Sequence, residues 1–232
     1  METPVQAQPF PSMTAPPPAS ANDAQICWQG WQDLTDRLAP VLAAPREQPD
    51  FLIAIEACAR TVLELCRRDA DVAIAFMVHD TPDKLQRYGV LHAVHTAMLL
   101  ALVARRRDWS PTLTFSAVQA GLTMNLSITG LQSTLALQTE PLSLLQRADI
   151  HAHPHASAQQ LRELGVTDDD WLMAVEQHHE EPDGSGYPFA ITDPSELATL
   201  LHHQHLGLAE RLGRSHADVA PGVLVGLLQK PA

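Results

Sequence analysis

The stretch "HHEEPDGSGYP", residues 178 to 188, sets two adjacent imidazoles and two carboxylates against a turn with two glycines, a tyrosine and two prolines. Imidazole nitrogen suits iron, zinc, manganese and related ions, and three such ligands leave positions open for water or phosphate. Gly184 and Gly186 permit positive φ and close backbone approach, while Pro182 and Pro188 stiffen the turn on either side. Histidines against a rigid turn are what a metal site beside a groove requires. The plainer reading is a helix C-terminus stabilised by two histidines and followed by a turn. These residues alone leave both open.

The chain carries twelve histidines against two tyrosines. They gather as His92 and His95; as His151, His153 and His155; and as His178, His179, His202, His203 and His205. Three cysteines, Cys27, Cys58 and Cys66, are an odd number without CxxC spacing, so neither a disulfide framework nor a zinc knuckle is expected. A reducing cytoplasm fits that usage.

The elements that must position these groups read as helices almost throughout. In "DFLIAIEACARTVLELCRR", Leu52, Ile55, Ala59, Val62, Leu63 and Cys66 recur at steps of three and four, forming one apolar stripe. Ser110-Pro111 reads as an N-cap with a first-turn proline, and Asp193-Pro194 repeats it. Thr167 with Asp170 resembles a capping box, which places "DDDWLMAVEQHHE" on a helix and His178 on its apolar face. Period-2 strands are not seen. The expectation is an all-α fold of eight to ten helices. Residues 1–22, rich in Pro, Ala and Ser, are expected as a disordered tail.

A net charge of −12 argues against a nucleic-acid or anionic-membrane surface, because no cation excess exists to release counterions. Arg105, Arg106 and Arg107 read as a solvated helix end. "MLLALVA" is too short to span a bilayer, and without a positively charged segment followed by an apolar run at the start of the chain no signal peptide is expected.

"HHEEPDGSGYP" resembles the signature of the HD-GYP family, a branch of the HD-domain phosphohydrolases. His92, opening the helix "HAVHTAMLLALVARRRDWS", "HPHASAQQLRELGV" (153–166) and "LATLLHHQHLGLAERLGR" (197–214) resemble further parts of its pattern. The likeness covers about 85 to 215. It implies an HD-domain-like compact helical bundle with a two- or three-iron centre that hydrolyses cyclic di-GMP through a metal-bridging hydroxide. Carried over, the ligands are His92, a His-Asp pair, His153, His178, His179 and a late aspartate.

This chain departs from that pattern where the chemistry is heaviest. Met124 and Asn125 stand at the His-Asp positions, Ile128 at that of a lysine, and His205 near the late aspartate. A bridging carboxylate is therefore missing, and two dications without one repel each other. His153, His178 and His179 remain as imidazoles for one metal, with His205 and His92 as further candidates. The alternative is that they persist as a packed, metal-free relic. His79, His155 and His216 read as surface residues, and His95 as a satisfied core or pocket histidine.

The resulting expectation is a catalytically inactive HD-GYP-like signalling or interaction module of the bacterial cytoplasm. It holds no cofactor or one divalent ion (iron, manganese or zinc). Its interaction loop is Asp183, Gly184, Ser185, Gly186, Tyr187 and Pro188. The partner is a protein such as a diguanylate cyclase or a response regulator, ahead of cyclic di-GMP itself, and neither nucleic acid nor membrane. The rival is a mononuclear metal-dependent phosphohydrolase with Glu180 as general base. A third class is a scaffold or homodimer with an exposed apolar helical face. Residues 23–84 are expected as an N-terminal helical region, 85–216 as the domain itself, and 217–232 as a C-terminal helix or truncated tail.

Overall fold

A computed structural model describes residues 21–79, 83–181 and 183–192. Among them the chain forms eight α-helices and two short 3₁₀ turns, with no strand. The all-α expectation holds. In order they are α1 (Ala21–Ala43), a 3₁₀ turn (Pro45–Glu47), α2 (Phe51–Arg68), α3 (Ala70–Val78), α4 (Tyr88–Arg106), α5 (Pro111–Thr123), a second 3₁₀ turn (Leu126–Ile128), α6 (Thr129–Leu137), α7 (Leu144–Glu163) and α8 (Asp169–Gln177). The Asp193-Pro194 cap, His202, His203, His205, His216 and the 217–232 tail lie outside the described residues, as does 1–20.

α4 is the hub. Val90, Val94, Ala97, Met98 and Ala101 are buried in it, and the N-terminal helices share that core through Trp31, Leu34, Ile55 and Val62. By length and composition α4 is the one described helix able to cross a membrane, with mean hydropathy 1.3, yet 56% of that window is buried in the bundle. Burial of that kind marks a core helix. Arg105, Arg106 and Arg107 are exposed at its end, as the sequence suggested.

α5 lies close against α4 because Gly121 has no side chain. A Cβ there would come within 2.9 Å of the Ala97 backbone. α8 is then latched onto α5 by two side-chain bonds. Trp171 Nε1 donates to Thr123 Oγ1 at 2.8 Å, and Ser116 Oγ donates to Asp168 at 2.6 Å. Asp168 also accepts from the Trp171 amide, so it is the N-cap of α8. Thr167 was expected there; an aspartate one residue later meets the helix dipole with a full negative charge and reaches Ser116 as well.

The chain differs from expectation at other points. α1 begins at Ala21, just inside the segment expected as tail, and α4 begins at Tyr88, one turn before His92. α8 ends at Gln177, leaving His178 as its C-cap rather than inside the helix. Leu52 is 36% exposed, so the stripe of α2 is carried by Ile55, Ala59, Val62 and Cys66. His95 is buried, but among the described residues its Nε2 has no hydrogen-bond partner, so it is not the satisfied histidine expected. Ser110 caps α5 as expected, accepting from the Leu113 amide.

Gly121→Ala forces the α4 and α5 backbones apart where neither can yield, and should cost about 1–3 kcal/mol. Chemical denaturation of the two proteins checks this; equal midpoints would mean the crossing is looser than its geometry.

Candidate metal centre

Three imidazoles meet where α7 passes the end of α8. The nearest ligand atoms of His153, His178 and His179 all lie within 4.8 Å of one another. His153 is 2% exposed and its partners are half-buried.

The backbone orients two of these rings. Pro154 sits inside α7 and has no N–H, while a helix places residue 154 opposite the carbonyl of residue 150. The Ile150 carbonyl is therefore free of its helical donor, and His153 Nδ1 meets it at 2.5 Å. His178 caps α8, whose last carbonyls have no helical amide to answer them. Its Nδ1 meets the Val175 carbonyl at 2.7 Å. A carbonyl only accepts, so in both rings Nδ1 carries the hydrogen. The consequence falls on the other nitrogens. His153 Nε2 and His178 Nε2 face each other at 2.9 Å, and in two neutral rings both are bare lone pairs. Something electron-poor belongs between them.

A shared proton is disfavoured there. Burial holds the imidazolium forms down, with neighbouring imidazoles adding repulsion: His153 titrates at about 4, His179 at about 3 and His178 well below its usual value. The charges felt at the trio, among the described residues, are those of other imidazoles, including His92. Three neutral nitrogens converging in a buried niche can hold a metal ion. No geometry is implied beyond that convergence.

The loop beyond is held by Glu180, which is wholly buried. One carboxylate oxygen accepts the Phe189 amide at 2.6 Å and the other the Ile191 amide at 2.9 Å. A general base was the role offered for Glu180; here its oxygens tie down the loop. The Tyr187 amide donates to the His179 carbonyl at 3.1 Å. Gly186 passes so close that a Cβ would lie 2.3 Å from the Glu181 amide nitrogen, and Gly184 turns with φ 76°. Asp183 caps the turn by accepting the Ser185 amide. Pro188 follows Tyr187, which packs flat on His179 with ring centres 4.5 Å apart.

His151 closes the other side of Tyr187, stacked at 4.4 Å, so the tyrosine stands between two imidazoles. Sequence reasoning gave His151 no role. It is two residues from His153, which on a helix points it elsewhere, and only the returning loop reunites them. Ser127 was also missed: its hydroxyl donates to the His153 carbonyl and lies 3.0 Å from Ser157 Oγ, tying α7 to the preceding 3₁₀ turn. His92 stacks on Tyr88 at 5.7 Å and lies outside the close trio. His205 lies outside the described residues. Asn125 is buried and Met124 half-buried at the end of α5. His79 and His155 are exposed as read, the latter bonded to Glu176 at 2.7 Å.

No protein-family model matches this chain, nor does any curated protein or solved structure.

Two outcomes follow. Glu180→Gln keeps one acceptor oxygen for two amides, so one amide is left unpaired, at a cost of about 1–3 kcal/mol in urea unfolding. A neutral result would place the loop's anchorage elsewhere. For metal-free protein, the depressed histidines remain neutral when folded and charge when unfolded. Stability is therefore complete above about pH 6.5. It falls as pH drops from 6.5 toward the folded values near 4 and 3, at up to about 1.4 kcal/mol per pH unit per histidine. A flat profile over that range would show the rings to be solvated.

Proposed function

We propose that this chain is a catalytically silent, HD-GYP-like signalling or interaction module of the bacterial cytoplasm. In it His153, His178 and His179 hold one divalent ion, and the 183–188 loop meets a protein partner. The observation that carries the reading is the pair of Nε2 atoms 2.9 Å apart, each ring already committed through Nδ1 to a backbone carbonyl. A cation relieves that opposition. All-imidazole donors favour zinc or iron(II) over manganese, which prefers oxygen.

Silence is supported by three residues. Asn125 is neutral where the resemblance puts a bridging carboxylate, Met124 offers a thioether unsuited to hard ions, and Glu180 has both oxygens occupied. The mononuclear phosphohydrolase reading would need Glu180 to release the loop before acting as a base. Doubly anionic cyclic di-GMP would want arginine or lysine at the cluster, where the charges felt are imidazoles. A protein such as a diguanylate cyclase or response regulator is the better fit for the loop. Asp183, Ser185 and Phe189 are exposed around a Tyr187 that is fixed in place, so little ordering entropy opposes docking. Cys27, Cys58 and Cys66 are all buried free thiols, in keeping with a reducing compartment.

Elemental analysis after expression with iron, manganese and zinc tests this reading. We expect close to one ion per chain, lost in His178→Ala. Melting temperature should fall with it, since an ion at a hundredfold excess over its Kd contributes about 2.7 kcal/mol. Metal-free protein, or unchanged content in the variant, overturns the site. Turnover of cyclic di-GMP that disappears in His178→Ala would move the assignment to the phosphohydrolase.

A further inference from the structure

The contact between α7 and α8 is held from two sides. Residues two apart on a helix point about 200° from each other, so they do not share a face. Glu176 and His178 therefore leave α8 on nearly opposite sides, and His153 and His155 do the same on α7. On one side His153 Nε2 and His178 Nε2 stand 2.9 Å apart. On the other, one Glu176 oxygen accepts from His155 Nδ1 at 2.7 Å, and its second oxygen accepts from Arg162 at 2.8 Å. A carboxylate only accepts, so His155 Nδ1 carries its hydrogen. His155 and Arg162 lie two turns apart on one face of α7, and Glu176 closes the span between them.

These bonds are better placed than an ordinary surface pair. The Glu176 side chain is 15% exposed, against 58% for His155 and 46% for Arg162. Isolated exposed pairs contribute little, but a mostly covered carboxylate with a donor on each oxygen has little freedom to reorient. The rest of α8 is held differently. Trp171, Leu172, Ala174 and Val175 are buried, and apolar burial is non-directional. The two bonds to α5, through Trp171 and Asp168, grip only the start of the helix. At the far end a directional grip on α7 comes from Glu176. Roll matters there because imidazoles are long levers. At a side-chain radius of roughly 5–6 Å, a roll of about 10° displaces a ring nitrogen by about 1 Å. Metal–ligand distances tolerate about 0.2 Å.

We propose that Glu176 is a positioning residue of the metal centre: clamped between His155 and Arg162, it fixes the roll of α8 on α7 and so the approach of the His153 and His178 nitrogens. Its bearing on metal affinity rests on the trio being the metal centre proposed above. Its bearing on the two rings does not.

Two variants of the full chain remove the clamp from either end: Glu176→Ala, and His155→Ala combined with Arg162→Ala. Both leave the trio itself intact. Zinc affinity, read by competition with a chromophoric chelator, should weaken about 10–100-fold in each. The triple variant should bind no more weakly than either, because both routes break one linkage. In zinc-free protein at neutral pH, the imidazole ¹H–¹⁵N signals of His153 and His178 should shift. The Trp171 indole signal should stay, since its bond to Thr123 is untouched. Unchanged zinc affinity in either variant overturns the proposal. So does a Trp171 signal that moves with the others, which would make Glu176 a general support of α8. Wild-type protein that takes up no zinc overturns the proposed metal centre, and the imidazole signals alone then decide the clamp: shifted, it stands; unmoved, it falls.

Discussion

A carboxylate with no solvent exposure organises the part of this molecule that carries the candidate metal centre. Burying Glu180 is tolerable because both oxygens accept backbone amides, those of Phe189 and Ile191. Those bonds draw the loop back over the end of α8. Once it is drawn back, Gly186 must pass against the Glu181 backbone, and Tyr187 comes to rest on His179. The tyrosine in turn reaches His151 on α7. One buried carboxylate thus ties the end of α8 to the middle of α7, and the histidine trio lies in the seam between them.

The trio itself is an instance of local accounting with a remote result. Each of two rings answers a carbonyl that its own helix has left without a donor, one because of a proline and one because the helix ends. Neither bond concerns the other helix. Together they aim two lone pairs at a single point, an arrangement uncomfortable for the empty protein and favourable for a cation. Hydrogen bonding between helices supplies the distance: the latch of α8 onto α5 through Trp171 and Asp168 fixes where the second ring begins.

Helices and caps were legible in the sequence because they are local. Ser110-Pro111 announced α5, and the periodicity of 51–68 announced α2, with only Leu52 misassigned to its buried face. At α8 the signal was right in kind and wrong by one residue, since Asp168 outcompetes Thr167 by bonding Ser116 on another helix, which no local pattern contains. His153, His178 and His179 were legible by residue type and neighbourhood. The occupied state of Glu180 and the stacking of His151 were not, for both depend on a loop returning across nine to eleven residues of chain or onto a different helix. A carboxylate beside two histidines reads as a base until its partners are known.

Pro154 does two things at once. It withholds the amide that would have occupied the Ile150 carbonyl, and so takes one bond out of the ladder that joins the outer and inner turns of α7. The carbonyl thus freed is the one that orients the His153 imidazole. A residue with no polar side chain of its own therefore sets the aim of a candidate ligand, by what its backbone cannot donate.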